Sequence, residues 1–566
     1  MIDFDVLKNI KEIEQTKNGF FTLKIGSNYI HSLYDPYKEA ERIIKPLEDL
    51  SPERTLVVVF GAGLGYHIEL IEKNGFKNVI VIERNKKIFD IFSKIYSLPQ
   101  TFYLIGPEDG PEKLDSVFSL MEIQNFKNIK TIIFRSTYEK ELYFPFENRL
   151  ERLLKVKLGD FSTRLKFEEI WFINILRNLR FLKFCVPVST IFNYFKNTPV
   201  VLISAGPSLK ESLKYLKEIE DYAILISVDT ALLPLYEAGI NVDFVYSLDS
   251  QVYNLGDFQQ IDKKYLSKVN FIFDIVANPG IISLFSEIEN RIGNNFVATT
   301  AHLDFDYNNN PFFIKSEFVN WIEAKTGIQF GNIETGGSVS TSAFHLAYML
   351  GGNPIILVGQ DLSFPYMITH TVSSPHYYKF LLKTNRLNSL ETFFLHLIAQ
   401  RRIVEEVDFE GNKILSDFVL HNFKGWFEES AKNIQNFRSD VTLINSTLKG
   451  VNLKYFKNIS ISEISRMIRK SLKLLPLNKI FPVFPLIDYR KIVKIINEIK
   501  KLKDFLENLS LSEKLFNLIA ASEFHFLKSY FMQERIVFDR YKKLEKLSLE
   551  RKIYRLLKNI EGLYGF

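Results

Sequence analysis

Two stretches of the chain repeat one pattern, in which short unbroken apolar runs alternate with longer segments whose apolar residues fall at helical spacing. From Leu56 to Phe134 the runs are "LVVVF", "NVIVIE", "TFYLIG" and "KTIIF". From Pro199 to about Gly450 they are "VVLISA", "AILISV", "FVYSL", "FIFDIVA", "NFVATT", "PIILVG" and "VTLIN". Unbroken apolar runs of this length read as strands covered on both faces, and their alternation with helices implies βαβ units and parallel sheets. A helical, aromatic and basic segment, "RLERLLKVKLGDFSTRLKFEEIWFINILRNLRFL", joins the two stretches. Past about Ile461 the pattern is helical with lysine-rich faces, which read first as solvated surface. The predicted class is α/β: two Rossmann-like doubly wound domains followed by a helical C-terminal domain. The boundaries fall at 1–150, 151–197 (a helical connector), 198–455 and 456–566.

Bulk properties add exclusions. At 566 residues the chain is long enough for three or so domains. Its 72 basic and 66 acidic residues leave a formal charge of only +6, which gives no push toward nucleic acid or a membrane surface. The single cysteine, Cys185, excludes an intrachain disulfide and a cysteine metal cluster, and its apolar setting "FLKFCVPV" suits an inert buried thiol. No run of about 18 uncharged apolar residues predicts a transmembrane helix. The start "MIDFDVLKNIKEIEQ" has acids where a secretion signal carries basic and then apolar residues. The expectation is a cytoplasmic protein without membrane insertion.

In an open parallel sheet, ligands bind beyond the carboxyl ends of the strands. After "VVLISA" come Gly206, Pro207 and Ser208; after "AILISV", Asp229 and Thr230; after "FVYSL", Asp249; after "FIFDIVA", Asn278; and around the end of "PIILVG", Gly359, Gln360 and Asp361. Ser208 with Glu211 has the spacing of a capping box, Asp229 is a candidate N-cap for "TALLPLYEA", and Asn278-Pro279 is an ordinary turn signal. Together these strand ends read as a nucleotide site, with the Gly206 to Ser208 amides at a helix start facing a phosphate and the aspartates facing ribose or base. A second glycine turn, Gly336, Gly337 and Ser338, opens another helix, in which His345 reads as a packed histidine. Asp304-Phe305-Asp306 is a lone DxD, too short to establish a metal site, and none is predicted.

The first domain carries its own signal. In "VVVFGAGLGYHIELIEKNGFKNVIVIERN", Gly61, Gly63 and Gly65 follow a strand and open a helix, and Glu83 closes the next strand, where an adenosyl ribose is held in dinucleotide-binding folds. Nothing downstream supplies a methyl-acceptor or hydride site, so fold similarity without a bound cofactor is the preferred reading.

"AGPSL", "SVDTAL", "SLDSQ", "TGGSVSTSAFHLAYMLG" and "LVGQDLSF", in that order, resemble the central domain of the motility-associated factor (Maf) family of flagellin glycosyltransferases, a domain grouped with MptE-like pterin pyrophosphokinases and similar to bacterial sialyltransferases. "IHSLYDPYKEAERI" resembles the family's amino-terminal signature, and "FEGNKILSDF" and "VTLINSTLKG" its later segments. The sialyltransferase turn reads Gly-x-Gly-Pro-Ser-Leu, whereas Ser204 stands here at its first glycine.

The resemblance implies transfer of a nonulosonic acid of the pseudaminic or legionaminic type from a CMP-sugar to Ser or Thr hydroxyls of flagellin, without a metal or a tightly bound cofactor. It implies phosphate contacts from Gly206, Pro207, Ser208, Gly337 and Ser338, nucleoside contacts from Asp229, Thr230 and Asp249, and a site completed by Gly359 and Asp361. The base it implies is His370, in the loop after Asp361, with His376 as rival. Two alternatives stand beside it: pyrophosphoryl transfer to a 6-hydroxymethyl-7,8-dihydropterin, and a non-catalytic flagellin-binding accessory protein.

Overall fold

The computed structural model describes residues 2–563 except 9, 120, 122–125, 136–138, 306–310, 472–480, 483, 513 and 542–545. It gathers into two compact units: Met1–Leu165 with Leu303–Phe312, and Lys166–His302 with Phe313–Phe566.

The first unit is built on four parallel strands, β1 (Thr55–Phe60), β2 (Asn78–Ile82), β3 (Phe102–Ile105) and β4 (Asn128–Ile133), in spatial order β3-β2-β1-β4. All six residues of β1 are buried, as an unbroken apolar run in a covered parallel sheet requires. The chain winds outward from β1 to β3 and returns to β4 on the other side, so the order reverses beside β1, at whose carboxyl end the Gly61 loop begins.

The second unit holds a larger sheet. Its main strands are β5 (Val200–Ile203), β6 (Ile224–Val228), β7 (Phe244–Ser247), β8 (Asn270–Asp274), β9 (Asn295–Phe305), β10 (Ile355–Val358) and β11 (Leu443–Asn445). They lie in the order β9-β8-β7-β6-β5-β10-β11, every neighbouring pair parallel. The order reverses between β5 and β10, where Ile203 lies opposite Val358. Doubly wound sheets open a ligand crevice at such a reversal, because the helices after the two strands leave to opposite faces.

The carboxyl-terminal helices belong to this second unit. Helix Tyr489–Glu507 buries Ile492, Ile495, Ile499, Leu502 and Leu506, at the spacing of one apolar face. Phe172 stacks on Phe318 at 4.3 Å and Phe318 on Phe526 at 4.8 Å, so aromatic packing joins helix Glu317–Thr326 to the carboxyl-terminal helices. Cys185 is fully buried and its thiol is pushed up by that burial, as expected of an inert cysteine. Among the described residues no helix is long and apolar enough to cross a membrane.

Candidate active site

The turn after β5 and the strand end after β10 meet at the sheet's reversal point. The Gly206 amide donates to the Gly359 carbonyl at 2.8 Å, and the Ser208 amide and hydroxyl both donate to Asp361 Oδ2, at 3.1 and 3.0 Å. A Cβ on Gly206 would lie 2.0 Å from Asp361 Oδ2 and 2.4 Å from the Gly359 carbonyl, so no larger residue lets these segments meet. This corrects the expectation of unpaired amides: Gly206 and Ser208 are bonded within the protein, and Pro207 has no amide hydrogen. Asp361 itself is the anion at the mouth of helix Leu209–Ile219. Burial pushes its carboxyl up to about 6 despite the Ser208 bonds, and Oδ1 is left without a partner.

The capping box is a second correction. Ser208 has helical backbone angles and makes no side-chain cap bond. Glu211 turns outward to Tyr366 and to Lys449 Nζ, 2.9 Å away. At the other glycine turn a capping box does form: Thr341's amide donates to Ser338 Oγ at 3.2 Å, and Ser338's amide to Thr341 Oγ1 at 3.3 Å. Gly336 and Gly337 donate to Thr341 Oγ1 and Thr335 Oγ1, so this turn too is closed by its own hydroxyls.

Ser204, at the glycine position of the sialyltransferase turn, ties the site together. Its hydroxyl lies 2.6 Å from Gln360 Oε1 and 3.0 Å from Ser340 Oγ, linking β5, the strand end after β10 and helix Val339–Met349. The Gln360 amide donates to Thr447 Oγ1 at 3.1 Å, and Gly450 packs so closely on Asp361 that a Cβ there would sit 2.5 Å from the Asp361 carbonyl oxygen. The segment "VTLINSTLKG" thus packs against the strand end after β10 through Thr447 and Gly450.

The loop after Asp361 folds back over the turn. The Thr371 amide donates to the Ala205 carbonyl at 2.8 Å, which sets His370 beside the Gly-Pro-Ser turn. His370 and His376 stack with ring centroids 4.5 Å apart and planes 13° from parallel, so the two candidate bases form one pair. Burial, then His376 and Arg401, push His370 down to about 3, leaving it neutral at ordinary pH. His376 is also lowered by burial and Lys379, while Asp249 works in the opposite direction.

Asp229 opens helix Asp229–Glu237 as its first residue rather than its cap. Its oxygens accept from the Thr230 amide at 2.8 Å and the Ser247 hydroxyl at 2.9 Å. Asp249 Oδ1 accepts from the Gln251 amide at 2.9 Å. Asn278 does cap its helix, accepting from Gly280, and His345 is buried with Nδ1 taking the Glu334 amide at 3.1 Å. Sequence reading missed Asp257, a buried carboxyl under the influence of Asp229 and Asp249, whose only prior sign was an acid inside the apolar segment "VYNLGDFQQI". The lone DxD ends on Asp306, outside the described residues; no group of three or more His, Cys, Asp or Glu among those described is disposed to hold a metal ion.

In the first unit, the residues of the glycine loop and Glu83 hold one another. Glu83 Oε2 accepts from the Ala62 amide at 2.8 Å, and Oε1 from the Asn85 amide at 2.8 Å and the Tyr143 hydroxyl at 3.1 Å. Gly61's amide donates to the Ile82 carbonyl and Gly65's to that of Ala62. His31, from the "IHSLYDPYKEAERI" segment, accepts from the Leu64 amide at 2.9 Å through Nε2 and faces Glu39 through Nδ1. A Cβ on Gly63 would meet His31 Nε2 and Phe134 at 2.7 Å each.

The architecture defines a class: a doubly wound α/β protein with two Rossmann-like sheets, a cluster of polar groups lying at the reversal point of the larger one. Residues 11–157 match the family model of the glycosyltransferase Maf N-terminal domain, and residues 173–366 that of the 6-hydroxymethylpterin diphosphokinase MptE-like domain. Both matched domains are of the kinds that the motifs of the sequence resemble, a Maf N-terminal domain followed by an MptE-like domain. The chain's fold is similar to the structure of a MAf glycosyltransferase from Magnetospirillum magneticum AMB-1, with a TM-score of 0.58 and 12% identity, over 99% of this chain and 92% of that one. An uncharacterized protein of Treponema pallidum (strain Nichols) is 30% identical over 98 residues, 17% of this chain and 46% of that protein. The chain thus spans about half the length of that curated relative.

Proposed function

We propose that the protein transfers a nonulosonic acid of the pseudaminic or legionaminic type from its CMP ester to a Ser or Thr hydroxyl of flagellin, in the cytoplasm and without a metal. The observation that carries this reading is the junction at the β5–β10 reversal, where a helix mouth adapted to an anion lies beside a stacked histidine pair.

Transfer needs the acceptor oxygen to bond to the sugar's anomeric carbon as the bond from that carbon to the phosphate oxygen breaks. The acceptor proton goes to the histidine pair and CMP leaves with the bonding electrons. A base must be neutral before it accepts, and burial keeps His370 neutral. His376 is the better place for the proton to rest, because Asp249 favours its charged form. Phosphate takes the helix mouth by displacing Asp361, and the aspartates after β6 and β7 face the nucleoside.

A second reading, pyrophosphoryl transfer to a hydroxymethylpterin, draws on the MptE-like match over residues 173–366. The two separate by thermal shift. CMP raises the melting temperature under the first, and ATP with magnesium under the second. Intact-mass measurement of flagellin incubated with the protein and a CMP-nonulosonic acid completes the test. An unchanged mass, or a melting shift with ATP and magnesium alone, overturns the proposal. Flagellin co-purifying without either nucleotide effect points instead to an accessory protein.

A further inference from the structure

We propose that Asp257 is a nucleoside-recognition residue of the crevice, its buried, unpartnered Oδ2 taking a hydrogen bond with the cytidine half of the donor. This deepens the reading above and rests on it.

Three carboxyl groups from two successive strand connections act on one another: Asp229 after β6, and Asp249 and Asp257 in the connection after β7, the latter at the end of the turn Val252–Asp257. Asp229 spends its oxygens on Thr230 and Ser247, and Asp249 receives the Gln251 amide. Asp257 is only 4% exposed, yet its Oδ2 has no partner. An unpaired buried polar atom costs stability, so its retention calls for a group that completes it.

The chemistry of that group follows from charge. A second anion is repelled by this cluster, so phosphate and sugar carboxylate are directed elsewhere, and among the described residues no geometry suits a metal ion. What fits is a neutral partner with N–H, O–H and carbonyl groups, as a nucleoside offers. Burial and the charges of Asp229 and Asp249 hold Asp257 far above the usual carboxylate range, so it keeps its proton and can both donate and accept. Of the elements packed on its turn, helix Asp229–Glu237 brings Asp229 and Glu237, the latter bonded to Tyr378, while helix Pro279–Ser286 has no titratable side chain. Helix Pro375–Leu381 brings Lys379, whose Nζ lies 5.8 Å from the ring centroid of Tyr253 in the same turn, and His376, within the influence of Asp249.

The test is calorimetric titration of the full chain with cytidine and with CMP, from neutral to alkaline pH, for wild type, Asp257→Ala and Asp257→Asn. Asp257→Ala weakens both ligands about tenfold, the loss of one well-placed hydrogen bond. Asp257→Asn binds as wild type does at pH 7 and stays level as the pH rises, whereas wild type weakens once Asp257 ionises beside Asp229 and Asp249. Neither variant melts below wild type, since each removes an uncompensated buried carboxyl. CMP bound equally by all three proteins, or an unchanged alkaline loss in Asp257→Asn, overturns the inference and leaves the proposed function standing. No CMP binding by wild type overturns both.

Discussion

The chain carries two glycine turns at two sheet reversals, and they are closed differently. Each gives an amide to a carboxylate of its own fold, Ala62 to Glu83 in the first unit and Ser208 to Asp361 in the second. Around the first, His31 and His67 stack on Phe134 at 4.7 and 4.9 Å, all three rings at most 4% exposed. Glu83 there has partners on both oxygens. Around the second, Asp361 Oδ1, Thr371 Oγ1 and Ser446 Oγ are buried and unpartnered, and the histidine pair is half-buried. His67 Nδ1 is unpartnered in the first setting as well, so the difference is one of degree: the same local motif is closed mainly by packing in one setting and leaves a buried carboxyl oxygen and hydroxyls unfinished in the other.

The largest expected contrast is catalytic. Replacing His370 and His376 together by Ala lowers the sugar-transfer rate about 10²–10⁴-fold, the usual worth of a positioned base, with the melting temperature within a few degrees of wild type. Undiminished transfer removes the pair from the chemistry. Replacing His31 by Ala costs stability instead, because it opens the ring stack and leaves the Leu64 amide unpaired.

The glycines come next. Gly206→Ala drives a methyl into Asp361 and the Gly359 carbonyl, so CMP binding is lost and stability falls by about 1–3 kcal/mol. Gly63→Ala, at φ +52°, has a similar cost in denaturant unfolding but leaves CMP affinity unchanged. Equal loss of CMP binding in both variants breaks the comparison.

These positions show what was legible beforehand. The strands could be read because an unbroken apolar run has one use in a covered parallel sheet: "VVLISA" became Val200–Ile203 and "LVVVF" lies within Thr55–Phe60. The strand ends could be read because polar groups there have few neighbours in sequence to explain them. What escaped depended on partners far along the chain. Ser208 is held by Asp361 across 153 positions, which no local capping rule registers, and Glu211 is drawn to Tyr366 and Lys449 instead of back to its own helix start. His370 is implied by the resemblance, whereas its stacking on His376 and its burial are tertiary facts. Asp257 escaped because burial, which gives it meaning, is invisible in an acid flanked by Gly256 and Phe258.

Smaller effects sharpen the picture. Asp361 has its pKa raised to about 6 from 3.8, so the folded state binds its proton more tightly than the unfolded chain. Stability from this group is therefore full below about pH 4 and is lost as pH rises toward 6, by up to about 3 kcal/mol. Asp361→Asn flattens that decline, and denaturant unfolding at pH 4, 6 and 8 measures it. An equally steep decline in the variant assigns the effect to another group. Smallest of all, Ser338→Ala loses a real cap bond and costs about 1 kcal/mol, whereas Glu211→Gln changes stability by less than about 0.5 kcal/mol because its contacts are exposed.

Under the proposed function, the aspartate in the helix mouth after β5 also makes anion capture an exchange. A helix start whose amides point into water takes any phosphate that arrives, and one already occupied by a tethered carboxylate yields only to a ligand that brings additional binding energy of its own. Free inorganic phosphate, held by the mouth alone, loses that competition, whereas a nucleotide anchored at its base as well wins it. On that reading the tether is a filter: apparent affinity is surrendered in return for indifference to free phosphate.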